Sequence, residues 1–291
     1  MRFFGTQMVI WYIRTCISNK LMLPTFATCF YEVKSKFSPE KYYKWMENLL
    51  LNTKCFNLIV FTDSNSNLRI EEIVAKSEFN KNIKIVIKPL EKFYNYKYKD
   101  YFIYNQEYKS QAPNISWELQ MIWAEKASFV LEAVTEIPYS SFYGWVDIGY
   151  FRGRENDIPT SEILNWPSPL SIIMLDTDKV YYANVSNSTS FDARLSTYIN
   201  DKQQNGLPKF EDPPNSPAIA GGFFICHKSQ ICWWKDKYDE VLSLYATNKF
   251  LMRDDQTIIN YCVYTYPDKY QITNECDEQY DNWFMFQRIL L

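Results

Sequence analysis

Glycine is scarce in this sequence, at 7 of 291 residues, and there is a single histidine, His227. One imidazole excludes a His-rich metal centre, and no Cys-x-x-Cys pair offers the thiolates of a structural zinc site. The seven cysteines (Cys16, Cys29, Cys55, Cys226, Cys232, Cys262, Cys276) are scattered. An odd count without framework spacing reads as reduced thiols in a cytoplasmic protein. A dominant charge is also missing: 31 Lys and Arg against 34 Asp and Glu leave a formal −3. Nothing in that balance points to nucleic acid as a partner. Long apolar runs are absent too. The stretch from Phe3 to Ile13 is broken by Gln7, is shorter than the ~20 residues a membrane span needs, and precedes no small-residue cleavage site. It is expected to be a leading strand or a loosely packed extension, with a peripheral membrane contact as the alternative.

What the chain has in quantity is aromatic: 23 Tyr, 20 Phe and 9 Trp, within 47% hydrophobic residues. Such a chain folds, and its length suffices for a sizeable core. With no repeat and no convincing linker, residues 1–291 read as one domain: an extension at 1–23, a first half at 24–150 and a second at 151–291.

The first half alternates. TFATCFYEV (25–33) reads as a strand, and SPEKYYKWMENLLL (38–51) as a helix capped by Ser38 with Pro39 at its first position. FNLIVFTD (56–63) is a continuous apolar run, as in a strand buried on both faces. NIKIVIKPL (82–90) is a third strand, and SWELQMIWAEKASFVLEAV (116–134) has helical apolar spacing. FYGWVDIGYFRGR (142–154) brings the fourth strand. This alternation predicts an α/β fold: a Rossmann-type, mostly parallel mixed sheet flanked by helices. In the second half, 170–178 (LSIIMLDTD) and 218–228 read as strands, 229–247 as a helix with Ser229 as N-cap, and 184–217 as a long polar loop or lid.

Ligands of such sheets bind beyond the carboxyl ends of the strands, where Thr62, Asp63 and Asp147 fall. An aspartate inside an aromatic strand must face a cleft, pair with a cation or hold a metal. Asp147 therefore reads either as a ligand for a divalent cation bridging two phosphates or as a structural partner of Arg152 or Arg154. Asp176 and Asp178, at i and i+2, would face one side of an extended chain and could share a metal, although a strand-ending turn also favours Asp. Gly221 and Gly222 mark a bulge or a close approach of backbone to ligand. Asp254, Asp255 and Gln256 could be helix caps or supply a general base. Trp233, beside Trp234, could stack on a sugar ring.

Taken in order, TFATCFYEV, YYKWMENLL, LIVFTD, GWVDIGYFR, GGFFICHKSQICWWKDKYDEVL and DDQTIIN resemble the HtrL/YibB family over about residues 24–275. Its members are regarded as sugar transferases associated with lipopolysaccharide and related glycans. The plan also resembles nucleotide-sugar transferases of the GT-A fold. The resemblance implies a UDP-linked or similar donor, a glycan acceptor and assistance by Mn2+ or Mg2+. It implies that Thr25, Ala27, Thr62, Asp63 and Lys126 meet the donor, with Trp145, Asp147, Gly149 and Arg152 of the W-x-D-x-G-x-x-R string. Asp147 would hold the metal. Gly221, Gly222 and Trp233 would border the acceptor or sugar, and Asp254, Asp255 and Gln256 would face the reacting centre. WVDIG has one carboxylate where the GT-A metal motif has two, so Lys126, Arg152 or Arg154 could carry part of the charge on the leaving diphosphate. Two other readings compete: a silent glycan- or nucleotide-binding module, and a two-metal phosphoesterase using Asp147, Asp176 and Asp178.

Overall fold

The computed structural model describes residues 23–109, 115–186, 188–211, 218–275 and 277–291. The expectations for residues 1–22 lie outside them. Seven strands, β1 (Thr25–Phe30), β2 (Asn57–Thr62), β3 (Ile83–Ile87), β4 (Phe142–Val146), β5 (Val180–Asn184), β6 (Phe223–His227) and β7 (Tyr270–Asn274), form one sheet in the order β3-β2-β1-β4-β6-β5-β7. Neighbours run parallel except that β6 is antiparallel to both β4 and β5. The predicted mostly parallel mixed sheet, flanked by helices, is what forms.

Alternate residues of β1 explain why helices cover both faces. Phe26 and Phe30 join a core with Leu58, Val60, Trp166 and Phe286, and helix α1 (Pro39–Leu50) closes that face. Ala27 and Cys29 point the other way, into a core with Phe61, Phe129, Trp145 and Trp234. Side chains of period two thus bury both sides of a central strand. Helix α2 (Asn67–Val74) follows β2.

The helix expected across 116–134 is two helices, α3 (Trp117–Ala124) and α4 (Lys126–Glu136). The break is Glu125. Its carboxylate is fully buried and accepts backbone hydrogen bonds from Tyr94 (2.7 Å) and Asn95 (3.0 Å). The strand expected at 170–178 is instead a short helix, Pro169–Ile173, followed by a turn. Ser168 caps it by accepting from Ser171 N–H, and Pro169 occupies its first position; both are helix-start signals. Part of the expected polar loop is helix α5 (Thr189–Asn200), capped by Ser188. Helices α6 (Lys228–Thr247) and α7 (Asp255–Thr265) complete the second half, with His227 rather than Ser229 capping α6. Among the described residues no helix is long and apolar enough to cross a membrane.

Candidate active site

Strand β4 delivers Asp147 one residue past its carboxyl end. Because β6 runs antiparallel to β4, with Val146 opposite Phe223, the amino end of β6 arrives at the same edge. There Asp147 N–H donates to Gly222 O at 2.9 Å. Close approach requires glycine at 221 and makes Gly222 a tight contact. A Cβ on Gly221 would lie 2.5 Å from Asp255 Oδ2, and one on Gly222 would lie 3.2 Å from Asp147 Oδ2. Helix α7 brings Asp255 as its first residue, where the helix dipole favours a carboxylate. Gln256 donates from Nε2 to Ile219 O and fixes that helix to the glycine segment.

Lys126, the first residue of α4, joins these pieces. Its buried ammonium stands 2.8 Å from Asp255 Oδ2 and 3.2 Å from Asp147 Oδ1, and donates to Gly221 O at 2.8 Å. Burial alone would lower the Lys126 pKa, but the two carboxylates outweigh it and hold the ammonium charged, with its pKa above the ordinary value. Asp147 Oδ1 also accepts from Trp145 Nε1 at 2.6 Å, so a strand residue two positions earlier orients it. Burial raises the Asp255 carboxyl above its usual range although Lys126 pulls it down. Neighbouring Asp254 is pushed up to about 7, first by burial and then by the charge of Asp255.

Two guanidiniums line the site as well. Arg152 lies over Trp45 (4.4 Å), Phe284 (4.8 Å) and Phe37 (5.5 Å), and donates from Nε to Gly149 O at 3.1 Å. Gly149 permits that turn to pass the Trp45 ring, which a Cβ would approach to 2.8 Å. Arg154 is tied to Asp157 and Asp281, each at 2.9 Å. The cleft has a volume of about 670 Å³ and is lined by Lys126, Asp147, Gly149, Arg152, Gly221, Gly222, Asp254, Asp255 and Gln256. Ten of the expected site residues therefore meet in one place, counting Trp145, which lines a smaller adjoining pocket with Lys126 and Asp147.

The other expected residues do not reach the cleft. Thr25 begins β1, at the opposite end of the sheet, and is buried with its Oγ1 2.7 Å from Ser140 Oγ; Ala27 is enclosed in the core. The last residues of that segment, Cys29 to Glu32, line the adjoining pocket instead. Thr62 is buried and donates to Phe30 O at 2.7 Å, while Asp63 turns back to accept from Asn65 and Ser66 N–H. Trp233 packs against Tyr266 and Tyr270, away from the cleft. Asp176 and Asp178 sit in an exposed turn before β5, with Asp178 N–H donating to Asp176 Oδ1, so they share no site with Asp147. His227 pairs in register with Phe142 at the far end of β4, away from Asp147.

Sequence reasoning missed Phe37, Tyr42, Trp123 and Trp283, which line the cleft from three separate segments. Only Trp123 left a signal, lying three residues before Lys126 in the single helix expected across 116–134.

A pH effect on stability follows from the carboxyls. Burial pushes Glu125 to about 7, as burial and Asp255 do Asp254. Both folded-state values lie above the ordinary carboxylate range, so the folded chain keeps protons that the unfolded chain has released. Stability is therefore expected to fall as pH rises from the ordinary range, near 4.5 for a glutamate, to about 7. Thermal melts at pH 6 and pH 8 check this; the melt at pH 6 should be the higher.

Solved structures share similarity with the chain over most of its length at low identity. One is galactosyltransferase LgtC in complex with donor and acceptor sugar analogs, at 8% identity and a TM-score of 0.48, covering 89% of this chain and 83% of that one. Another is a glycosyltransferase involved in the glycosylation of the major capsid of PBCV-1, at 12% identity and a TM-score of 0.41, with 87% and 81% covered. A third is 4-diphosphocytidyl-2C-methyl-D-erythritol synthase from Anaerococcus prevotii, at 11% identity and a TM-score of 0.41, with 92% and 95% covered. No curated protein matches the chain. The family model HtrL/YibB, described as a bacterial protein of unknown function, matches residues 31–290, and the chain belongs to that family.

Proposed function

We propose that the chain is a glycosyltransferase that moves a sugar from a nucleoside-diphosphate sugar, first of all a UDP-sugar, to a hydroxyl of a glycan. One observation carries this reading. Three elements at the sheet edge bring the Lys126 ammonium within 3.2 Å of two carboxylates, in a cleft that two arginines also line. The guanidiniums suit a diphosphate, and oriented carboxylates suit the hydroxyls and the reacting carbon of a sugar.

In the reaction, the acceptor oxygen bonds to the anomeric carbon. The bond from that carbon to the diphosphate oxygen breaks, and its electron pair leaves on the diphosphate. The acceptor's proton passes to a carboxylate in reach. Asp254 suits this role: it lines the cleft and its pKa of about 7 lies near working pH. Asp255, enclosed and bound to Lys126, serves to hold the ammonium in place. Trp283, 36% exposed, and Phe37 and Tyr42 offer flat faces along the cleft to an acceptor sugar.

The reading is tested by incubating the protein with UDP-, GDP- and dTDP-sugars and measuring the nucleoside diphosphate released. Release from one donor class is expected, rising with pH through about 7 as Asp254 loses its proton. Thermal stabilisation by a nucleotide with no turnover of any donor would instead mark a binding module. Activity on a simple phosphate ester alone would mark a phosphoesterase.

A further inference from the structure

The candidate site suits a resident divalent cation poorly. Asp147 is the one carboxylate of its strand end, and its Oδ1 is already taken by Trp145 Nε1 and by the Lys126 ammonium. The nearest second carboxylate, Asp255, holds the other side of that ammonium. A fixed positive charge thus fills the position between two acids where a shared cation would sit, and it would repel a second one. Among the described residues no three His, Cys, Asp or Glu side chains gather into a group that could hold a metal.

Arg152 supplies what such a metal would otherwise provide. Arg154 is satisfied by Asp157 and Asp281, and Lys126 by its two acids. Arg152, by contrast, forms no ion pair with a described carboxylate. Its hydrogen bond goes to a carbonyl, and three aromatic rings hold its guanidinium in place. Burial and the nearby Arg154 lower its pKa, although an arginine stays charged at neutral pH. The group borders the main cleft and the adjoining pocket alike, where they meet at Asp147 and Lys126. A rigid, unpaired fork of donors at the junction of two cavities is a receptor for a bidentate anion.

We infer that this protein binds the diphosphate of a nucleotide without a divalent cation, through the guanidinium of Arg152, while the Lys126 ammonium occupies the place between the two acids. The inference takes its substrate class from the glycosyltransferase reading, yet it can fail separately. When the sugar leaves, the electron pair that stays on the diphosphate oxygen is stabilised by the Arg152 guanidinium.

The test is titration calorimetry on the full chain with UDP, GDP, CDP and dTDP, each in EDTA and then in Mn2+. At least one diphosphate is expected to bind in EDTA within about threefold of its affinity in Mn2+. The matching nucleoside, which lacks phosphate, should bind far more weakly. Arg152→Gln should weaken the diphosphate about tenfold or more and leave the nucleoside unchanged, with Arg152→Lys between the two. Melting curves control for the lost ring packing, and the comparison of EDTA with Mn2+ needs no variant. Binding that requires Mn2+, binding to Arg152→Gln as tight as wild type, or no binding in either condition would overturn the inference. Binding without metal but with no donor turned over would sink the transferase reading and leave this one standing. Turnover strictly dependent on Mn2+ would do the reverse.

Discussion

Lys126→Met is expected to destabilise the fold by about 3–5 kcal/mol and to abolish donor turnover, because it leaves buried negative charge without its partner. Most of that cost arises at Asp255, whose side chain is 7% exposed, and less at Asp147, which is 44% exposed and partly solvated. The ammonium also donates to Gly221 O, so its loss frees the glycine segment that borders the cleft. Part of the penalty is relieved by protonation, since burial already raises the Asp255 carboxyl. Methionine keeps the length and apolar stem of the side chain, so lost packing does not account for the effect. The double variant Lys126→Met with Asp255→Asn removes the stranded charge and should recover most of the stability. Turnover should stay lost. Denaturant unfolding of the wild type, the single and the double variant checks this. A single variant as stable as wild type would mean that the ammonium does not hold the site together.

The second large effect is expected from Asp147→Asn. The amide oxygen can still accept from Trp145, and the side chain lies at a wet edge, so the melting temperature should change little. The charge opposite the reacting sugar disappears, and Lys126 keeps a single acid. Loss of one preorganised charged group at a reaction centre costs about 10²–10³ in turnover. Donor turnover by a folded Asp147→Asn protein, measured beside its melting curve, decides the point. Unchanged turnover would remove Asp147 from the mechanism.

Much of the first half of the fold was legible because its signals are local. The continuous apolar run at 56–63 is a buried strand, 82–90 holds the edge strand β3, and Ser38–Pro39 opens a helix. Asp147 stood out because an acid interrupts an aromatic strand, and Gly221–Gly222 because glycine at a strand entry marks a bulge or a close approach. Those signals do converge on one site. The failures have physical causes too. Glu125 interrupts a helix by turning inward to distant backbone groups, which periodicity cannot register. The apolar run at 170–175 was read as a strand although Ser168 and Pro169 start a helix there. Thr25 and Ala27 were assigned to the donor by resemblance, but a strand binds ligand at one end, and these residues occupy the other end and the core. The acid–ammonium–acid arrangement was beyond local reading. It joins residues 126, 147 and 255 and depends on β6 running against its neighbours.

The most direct test of the central claim is a crystal structure of the protein with the nucleoside diphosphate it binds best. The account predicts the diphosphate in the cleft within hydrogen-bond reach of Arg152, beside the Lys126 ammonium and at the carboxyl end of β4. A diphosphate bound elsewhere, with Lys126, Asp147 and Asp255 still enclosed and untouched by ligand, would contradict it.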